Sequence, residues 1–271
     1  MGLPKTASTF LQLNVFPFFN GVEFVKKHDF KRKDRIIENS SSERILLSTE
    51  LDLDRPGGIG KVEDVSGKYP NTYPIVVLRK HGSWLRSKYK YYLRKHGDKT
   101  FEEYFNPQND KGLLTRKNLE YYPKIKLLEE YFEKRPLVLF QEELKHAPYK
   151  FIDIIAEYVG ADYSKPDIKI KTVKKAYSDK QLKRVRRFNK FYKFDKSKAK
   201  SKAGRFVYKK LSAFFLHSVA YVGSLLPGSA LKNEYLVPEE SIRKVNEALK
   251  DDWKKCIEYA KEDRSLYLPK A

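Results

Sequence analysis

Four consecutive apolar residues, Ile75-Val76-Val77-Leu78, stand directly before the polar run Arg79-Lys80-His81. A short, largely β-branched run of this kind suits a strand buried on both faces, as in a parallel sheet. Parallel strands need crossover connections, and those connections are normally helices. Three further short segments read as strands: Val22–Val25, Arg44–Ser48 with Ile45, Leu46 and Leu47 in a run, and Pro136–Phe140. Helical patterns lie between them, over Thr9–Phe16, Lys31–Asn39, Ser83–Lys95, Leu119–Glu133 and Pro148–Val159, the last ended by Gly160. Leu51–Lys68 holds Pro56, Gly57, Gly58 and Gly60 and reads mostly as loop. The alternation predicts an α/β fold of three layers around a mainly parallel sheet.

The pattern changes after about residue 168. Asp179–Phe191 and Phe206–Leu226 read as helices. A last helix opens at Pro238 and carries Ile242, Val245, Leu249, Trp253 and Ile257 at intervals of three and four. An α/β core over 1–168 is therefore expected, with a basic, helical part over 169–271 completing the same domain. A chain of 271 residues fits that size.

Charge is concentrated in the second part. Lys169 to Lys210 contains 18 Lys or Arg against Asp179 and Asp195, so +16 of the chain's net +21 lies there. Such a field implies an anionic partner. The single cysteine, Cys256, excludes an intrachain disulfide and a cysteine-rich zinc module. No metal site is expected. Lys5 stands where a signal peptide would need an apolar run, so a cytoplasmic protein is expected. Leu211–Leu231 holds no Lys, Arg, Asp or Glu. It admits three readings: a membrane span, an interfacial helix at the inner membrane face, or a buried helix followed by a loop.

Two local patterns point to phosphate chemistry. In Pro4-Lys5-Thr6-Ala7-Ser8-Thr9, small hydroxylated residues stand at a helix start, where backbone amides can surround an oxyanion. Lys5 precedes the small residues, so this is not a Walker A loop. Arg79 follows the best strand directly, and Ser87 comes eight residues later, in the next helix. In open α/β sheets, ligands bind beyond the carboxyl ends of strands.

Together these blocks resemble sulfotransferases that use 3′-phosphoadenosine 5′-phosphosulfate (PAPS), in particular bacterial and carbohydrate members. Pro4–Gln12 resembles the family's phosphosulfate loop. Ile75–Leu78 with Arg79 and Ser87 resembles its 3′-phosphate motif, and Glu143-Leu144 through Pro148 to Gly160 resembles a helix late in its sheet domain. Lys202-Ala203-Gly204-Arg205 is loosely similar to the loop that closes over the cofactor. Ala7 and Ser8 depart from the family's usual Gly and Thr. Met1–Leu3 is too short for the family's first strand, so a trimmed start or an upstream segment is expected.

The resemblance implies sulfuryl transfer from PAPS to a hydroxyl of a glycan or glycolipid, leaving 3′-phosphoadenosine 5′-phosphate. Pro4, Lys5, Thr6, Ala7, Ser8 and Thr9 would cradle the phosphosulfate, and Lys5 would stabilise the departing phosphate. Arg79 and Ser87 would hold the 3′-phosphate, with Lys202, Gly204 and Arg205 closing the site. Glu50 is the expected general base and His81 its competitor. An anionic membrane contact is a further expected partner. Three other functions remain open: a nucleotide or sugar kinase, nucleic-acid binding through 169–210, where Phe188, Phe191, Tyr192 and Phe194 interleave with the charge, and an inactive relative with a structural or anchoring role, which Ala7-Ser8 allows.

Overall fold

A computed structural model of the chain describes residues 4–50, 52–54, 56–170, 177–192, 201–222 and 235–267. Within them run four strands: β1 (Glu23–Val25), β2 (Ile45–Leu47), β3 (Ile75–Leu78) and β4 (Leu137–Phe140). The first helices are α1 (Ser8–Asn14), α2 (Lys33–Glu38), α3 (Pro56–Lys68), α4 (His81–Leu93), α5 (Phe101–Tyr104), α6 (Arg116–Leu119) and α7 (Tyr122–Phe132). There follow α8 (Gln141–His146), α9 (Pro148–Val159), α10 (Asp179–Phe191), α11 (Lys202–Val222), α12 (Glu239–Ala248) and α13 (Lys250–Tyr267).

Helix dominates, at 62% against 7% strand. The strands form two separate parallel ladders, β1 with β2 and β3 with β4. This overturns the expected three-layer, mainly parallel sheet and its sheet-borne P-loop-like element. The four segments do become strands, but each is only three or four residues long. Each ladder therefore carries few backbone bonds, and helices supply most of the packing.

The chain divides into two units. Unit one comprises Met1–Trp84, Lys117–Lys174 and Ala248–Ala271; unit two comprises Leu85–Arg116 and Lys175–Glu247. Unit one holds both ladders. All four residues of β3 and all four of β4 are buried, in register from Ile75 opposite Leu137 to Leu78 opposite Phe140. Residue alternation sends Val76, Leu78, Val138 and Phe140 into a core with α7 and α13, and Ile75, Val77, Leu137 and Leu139 into a core with α1 and α9. Gly160 ends α9 in the left-handed conformation.

The expected loop over 51–68 is also corrected, because α3 occupies most of it. Gly57, Gly58, Gly60 and Gly67 each cost a helix roughly 0.5–1 kcal/mol relative to alanine. Val62 and Val65, three residues apart, are fully buried against Leu53, Ile125 and Leu128. Burying each contributes roughly 1.5–3 kcal/mol, so packing outweighs propensity. Gly58 has a further reason: a Cβ there would stand 2.0 Å from the Asp52 carbonyl oxygen.

Unit two is helical. Tyr89, Phe101 and Tyr104 form a buried aromatic cluster, with ring centroids 5.3 Å apart from Tyr89 to each of the others. Asn189 of α10 donates to the carbonyls of Leu93 (2.9 Å) and Gly97 (2.7 Å). Leu216 and Ala220 of α11 pack against Val185 of α10.

Candidate functional site

The loop before α1 has an unusual backbone. Lys5 (φ 75°) and Ala7 (φ 68°) are left-handed, and Thr6 between them is not. Left-handed backbone costs a non-glycine residue roughly 1–2 kcal/mol. Two positive φ values within three residues turn the chain sharply just before α1, where the amides of a helix start gather. Packing holds the loop in this shape. The Trp84 indole N–H donates to the Pro4 carbonyl at 2.7 Å, and the Arg79 guanidinium donates to the Lys5 carbonyl at 3.4 Å. Thr6 is wholly buried, Ser8 is buried, and Thr9 is exposed. No side chain caps α1, whose first turn is closed by the Phe10 and Leu11 amides on the Ala7 carbonyl.

Glu50 lies against this loop. It accepts a hydrogen bond from the Ser8 hydroxyl at 3.2 Å and an ion pair from Lys27 at 2.6 Å. Burial alone would raise its pKa; the Lys27 ammonium, the Ser8 hydroxyl and the charge of Lys5 outweigh that and hold it below the ordinary carboxylate value. Gln12 donates to the Ser48 hydroxyl at 3.0 Å, a second tie between α1 and the end of β2. Lys5, Ser8, Glu50 and Arg79 thus meet around one loop, together with Lys27 and Trp84, which sequence reasoning did not single out. Nothing in the spacing of Lys27 or Trp84 announces them, because their partners lie 23 and 80 residues away.

His81 is placed elsewhere in unit one. It is buried, stacked on Tyr121 with centroids 4.4 Å apart, and hydrogen-bonded to Asp252 at 2.9 Å. Asp252 also accepts the backbone amides of Tyr121 (2.9 Å) and Tyr122 (3.0 Å), at the start of α7. Burial pushes the Asp252 pKa up, but His81 and the two amides more than offset it and the net direction is downward. This arrangement ties α4, α7 and α13 together.

The remaining expected residues fall in unit two. Ser87 is half-buried on α4. Lys202-Ala203-Gly204-Arg205 form the first turn of α11 rather than a loop; the Gly204 amide bonds the Ser201 hydroxyl at 2.9 Å and the Arg205 amide its carbonyl at 3.0 Å. Among the described residues, no three His, Cys, Asp or Glu side chains converge to hold a metal.

A second feature of unit two was legible as charge beside the uncharged stretch that begins at Leu211. One face of α11 is buried through Ser212, Leu216 and Ala220. Its other side exposes Phe206, Val207, Leu211, Phe214 and Phe215, each at least half exposed. This helix carries four Lys or Arg and no acid. Neighbouring α10 carries six against Asp179 and ends at Phe191, 90% exposed. No described helix is long and apolar enough to cross a membrane. Residues 223–231 of the expected apolar stretch lie outside the described residues.

No family model matches the chain, and no curated protein or solved structure matches it. The likeness to PAPS-dependent sulfotransferases therefore does not hold as a family assignment. A helix-dominated fold with two small ladders lacks the sheet on which that chemistry would be built, so sulfuryl transfer to a glycan or glycolipid is overturned with it. The kinase alternative, which needs a comparable sheet-borne loop, has the same difficulty.

Proposed function

We propose that unit one binds a small phosphorylated molecule through the loop Pro4–Thr9. The observation that carries this reading is the pair of left-handed residues, Lys5 and Ala7, on either side of Thr6. Two non-glycine residues in that conformation are costly, and such strain collects where a backbone is shaped for a ligand. The cations of Lys5 and Arg79 supply the charge that a phosphate requires. Ligands bearing two phosphates, PAPS and 3′-phosphoadenosine 5′-phosphate among them, are the specific candidates. The reading concerns binding and includes no transfer step.

Calorimetric titration with 3′-phosphoadenosine 5′-phosphate tests it. The parent protein is expected to bind saturably, and Arg79→Ala at least tenfold more weakly. A folded parent that shows no heat of binding, with this nucleotide or with inorganic phosphate, would remove the reading.

The exposed apolar side of α11 favours a second, independent reading for unit two: contact with an anionic membrane surface at the cytoplasmic face. An interfacial helix needs an apolar side to enter the headgroup boundary and cations to meet anionic lipid. Phe206, Leu211, Phe214 and Phe215 give the first, and α10 with α11 the second. Lys210, placed 5.5 Å from the Phe206 ring, is positioned to reach out from such an interface. An anionic glycan or a nucleic acid would meet the same charge but would leave the aromatic side in water.

A further inference from the structure

Lys27 and Glu50 stand just beyond the same end of the β1–β2 ladder. Val25 lies opposite Leu47 in the parallel register, so the chain leaves both strands side by side. Glu50 then meets two donors, one on each carboxylate oxygen: the Ser8 hydroxyl at 3.2 Å, in the first turn of α1, and the Lys27 ammonium at 2.6 Å. These donors and the charge of Lys5 hold Glu50 ionised at neutral pH. An anion is therefore already bound against the loop Pro4–Thr9, and it belongs to the chain.

We infer that Glu50 stands in for the ligand: a phosphate monoester entering the loop displaces the Glu50 carboxylate and takes over the Ser8 hydroxyl and the Lys27 ammonium. This rests on the reading of Pro4–Thr9 as a phosphate site. It adds to that reading a ligand contact, Lys27, and a rule by which the site admits one anion and not another.

The pair is built to part. Lys27 is half exposed and Glu50 one-third exposed. Ion pairs this open to water contribute little, so separating them costs little. A tethered carboxylate competes with every free anion for the same two donors, and it lowers each apparent affinity by the fraction of molecules in which it is seated. A carboxylate ligand draws no more from Ser8 and Lys27 than Glu50 already does. A phosphate dianion carries twice the charge and meets the ammonium with a stronger attraction. The internal carboxylate thereby holds monoanions off and yields to phosphate esters.

Calorimetry with inorganic phosphate, on the full chain at neutral pH, tests this. Glu50→Gln is expected to bind at least tenfold more tightly than the parent. Glu43→Gln, which removes an exposed acid just before β2, is expected to stay within twofold of it. Adding Lys27→Gln to Glu50→Gln is expected to weaken binding at least tenfold, since no carboxylate is then left at position 50 for Lys27 to neutralise. In the parent itself, the carboxyl-carbon resonance of Glu50 is expected to shift with added phosphate and to saturate. The stand-in alone would be overturned by equal or weaker binding in Glu50→Gln or by an equal gain in Glu43→Gln. It would also be overturned by a double variant that binds as Glu50→Gln does, or by a Glu50 resonance unmoved at saturation. No phosphate binding by the parent and by Glu50→Gln alike would overturn the phosphate site as well.

Discussion

Both units carry ion pairs, in unit two Arg86 with Glu239 and Lys90 with Asp179, but they differ in where charge and apolar surface are placed. Unit one pairs its cations with acids inside the fold. Lys33 is 4% exposed and bonded to Asp34 and Asp64, Lys68 meets the same two acids, and Lys27 meets Glu50. Burial works to lower the Lys33 pKa, and its two carboxylate partners more than compensate, so the net shift is upward. In unit two, Lys180, Arg187 and Lys190 of α10 are exposed, and so are the aromatic rings of Phe191, Phe206, Phe214 and Phe215. Paired charges in unit one fix backbone and side chains around a loop. Exposed charges beside exposed rings in unit two suit a partner that is large, anionic and partly apolar. Contrast between the units, more than net charge, is what the two proposed binding modes rest on.

The largest effect expected is on stability, in unit one. Asp252→Ala strips His81 and two α7 amides of their acceptor at once, and breaking a buried pair of this kind costs about 3–5 kcal/mol. Urea unfolding would show it. A loss within 0.5 kcal/mol would mean that unit one does not depend on internal pairing, and the contrast would weaken.

In unit two the double variant Phe214→Ser/Phe215→Ser is expected to lose at least tenfold in affinity for vesicles containing phosphatidylserine, with stability little changed because both rings are exposed. Co-sedimentation at two salt concentrations reads it. Equal binding by parent and variant would leave charge alone as the determinant and make nucleic acid or an anionic glycan the better partner.

Acid should act on unit one first. Glu50 and Asp252 both titrate lower in the folded chain than in the unfolded one, where carboxylates ionise near about 4. Their contribution is complete above that unfolded value and is lost as pH falls through the depressed folded values. Exchange protection around α1 and α7 is therefore expected to fall below about pH 4. The cationic helices α10 and α11 hold a single acid between them and should respond less. The smallest effect is a gain: Ala7→Gly relieves one left-handed residue and should stabilise the protein by about 1 kcal/mol.

Much of the local structure was legible in the residues, and the assembly was not. The apolar runs at 45–47, 75–78 and 137–140 announced strands because burial on both faces needs such runs. The end of α9 was equally clear, since Gly160 is the residue that tolerates its left-handed φ of 64°. What failed was the step from alternating elements to a single sheet, because strand length and pairing are decided by contacts distant in sequence. α3 was hidden by its glycines until the burial of Val62 and Val65 could be counted. The last helix reads as continuous from its apolar spacing, yet α12 and α13 are separate around Leu249. His81 looked like a base beside Arg79; the acid that gives it a structural place, Asp252, is 171 residues away. The loop at Lys5 was visible as a pattern of small residues, whereas its two positive φ values were not.

An amide proton–nitrogen correlation spectrum, recorded while 3′-phosphoadenosine 5′-phosphate is titrated in, tests the phosphate-binding loop most directly. Saturating shifts at the amides of Thr6, Ala7, Ser8 and Thr9, reached before any change in α10 or α11, are the predicted result. Shifts confined to the basic helices, with the amides of 6–9 unmoved at saturation, would contradict it.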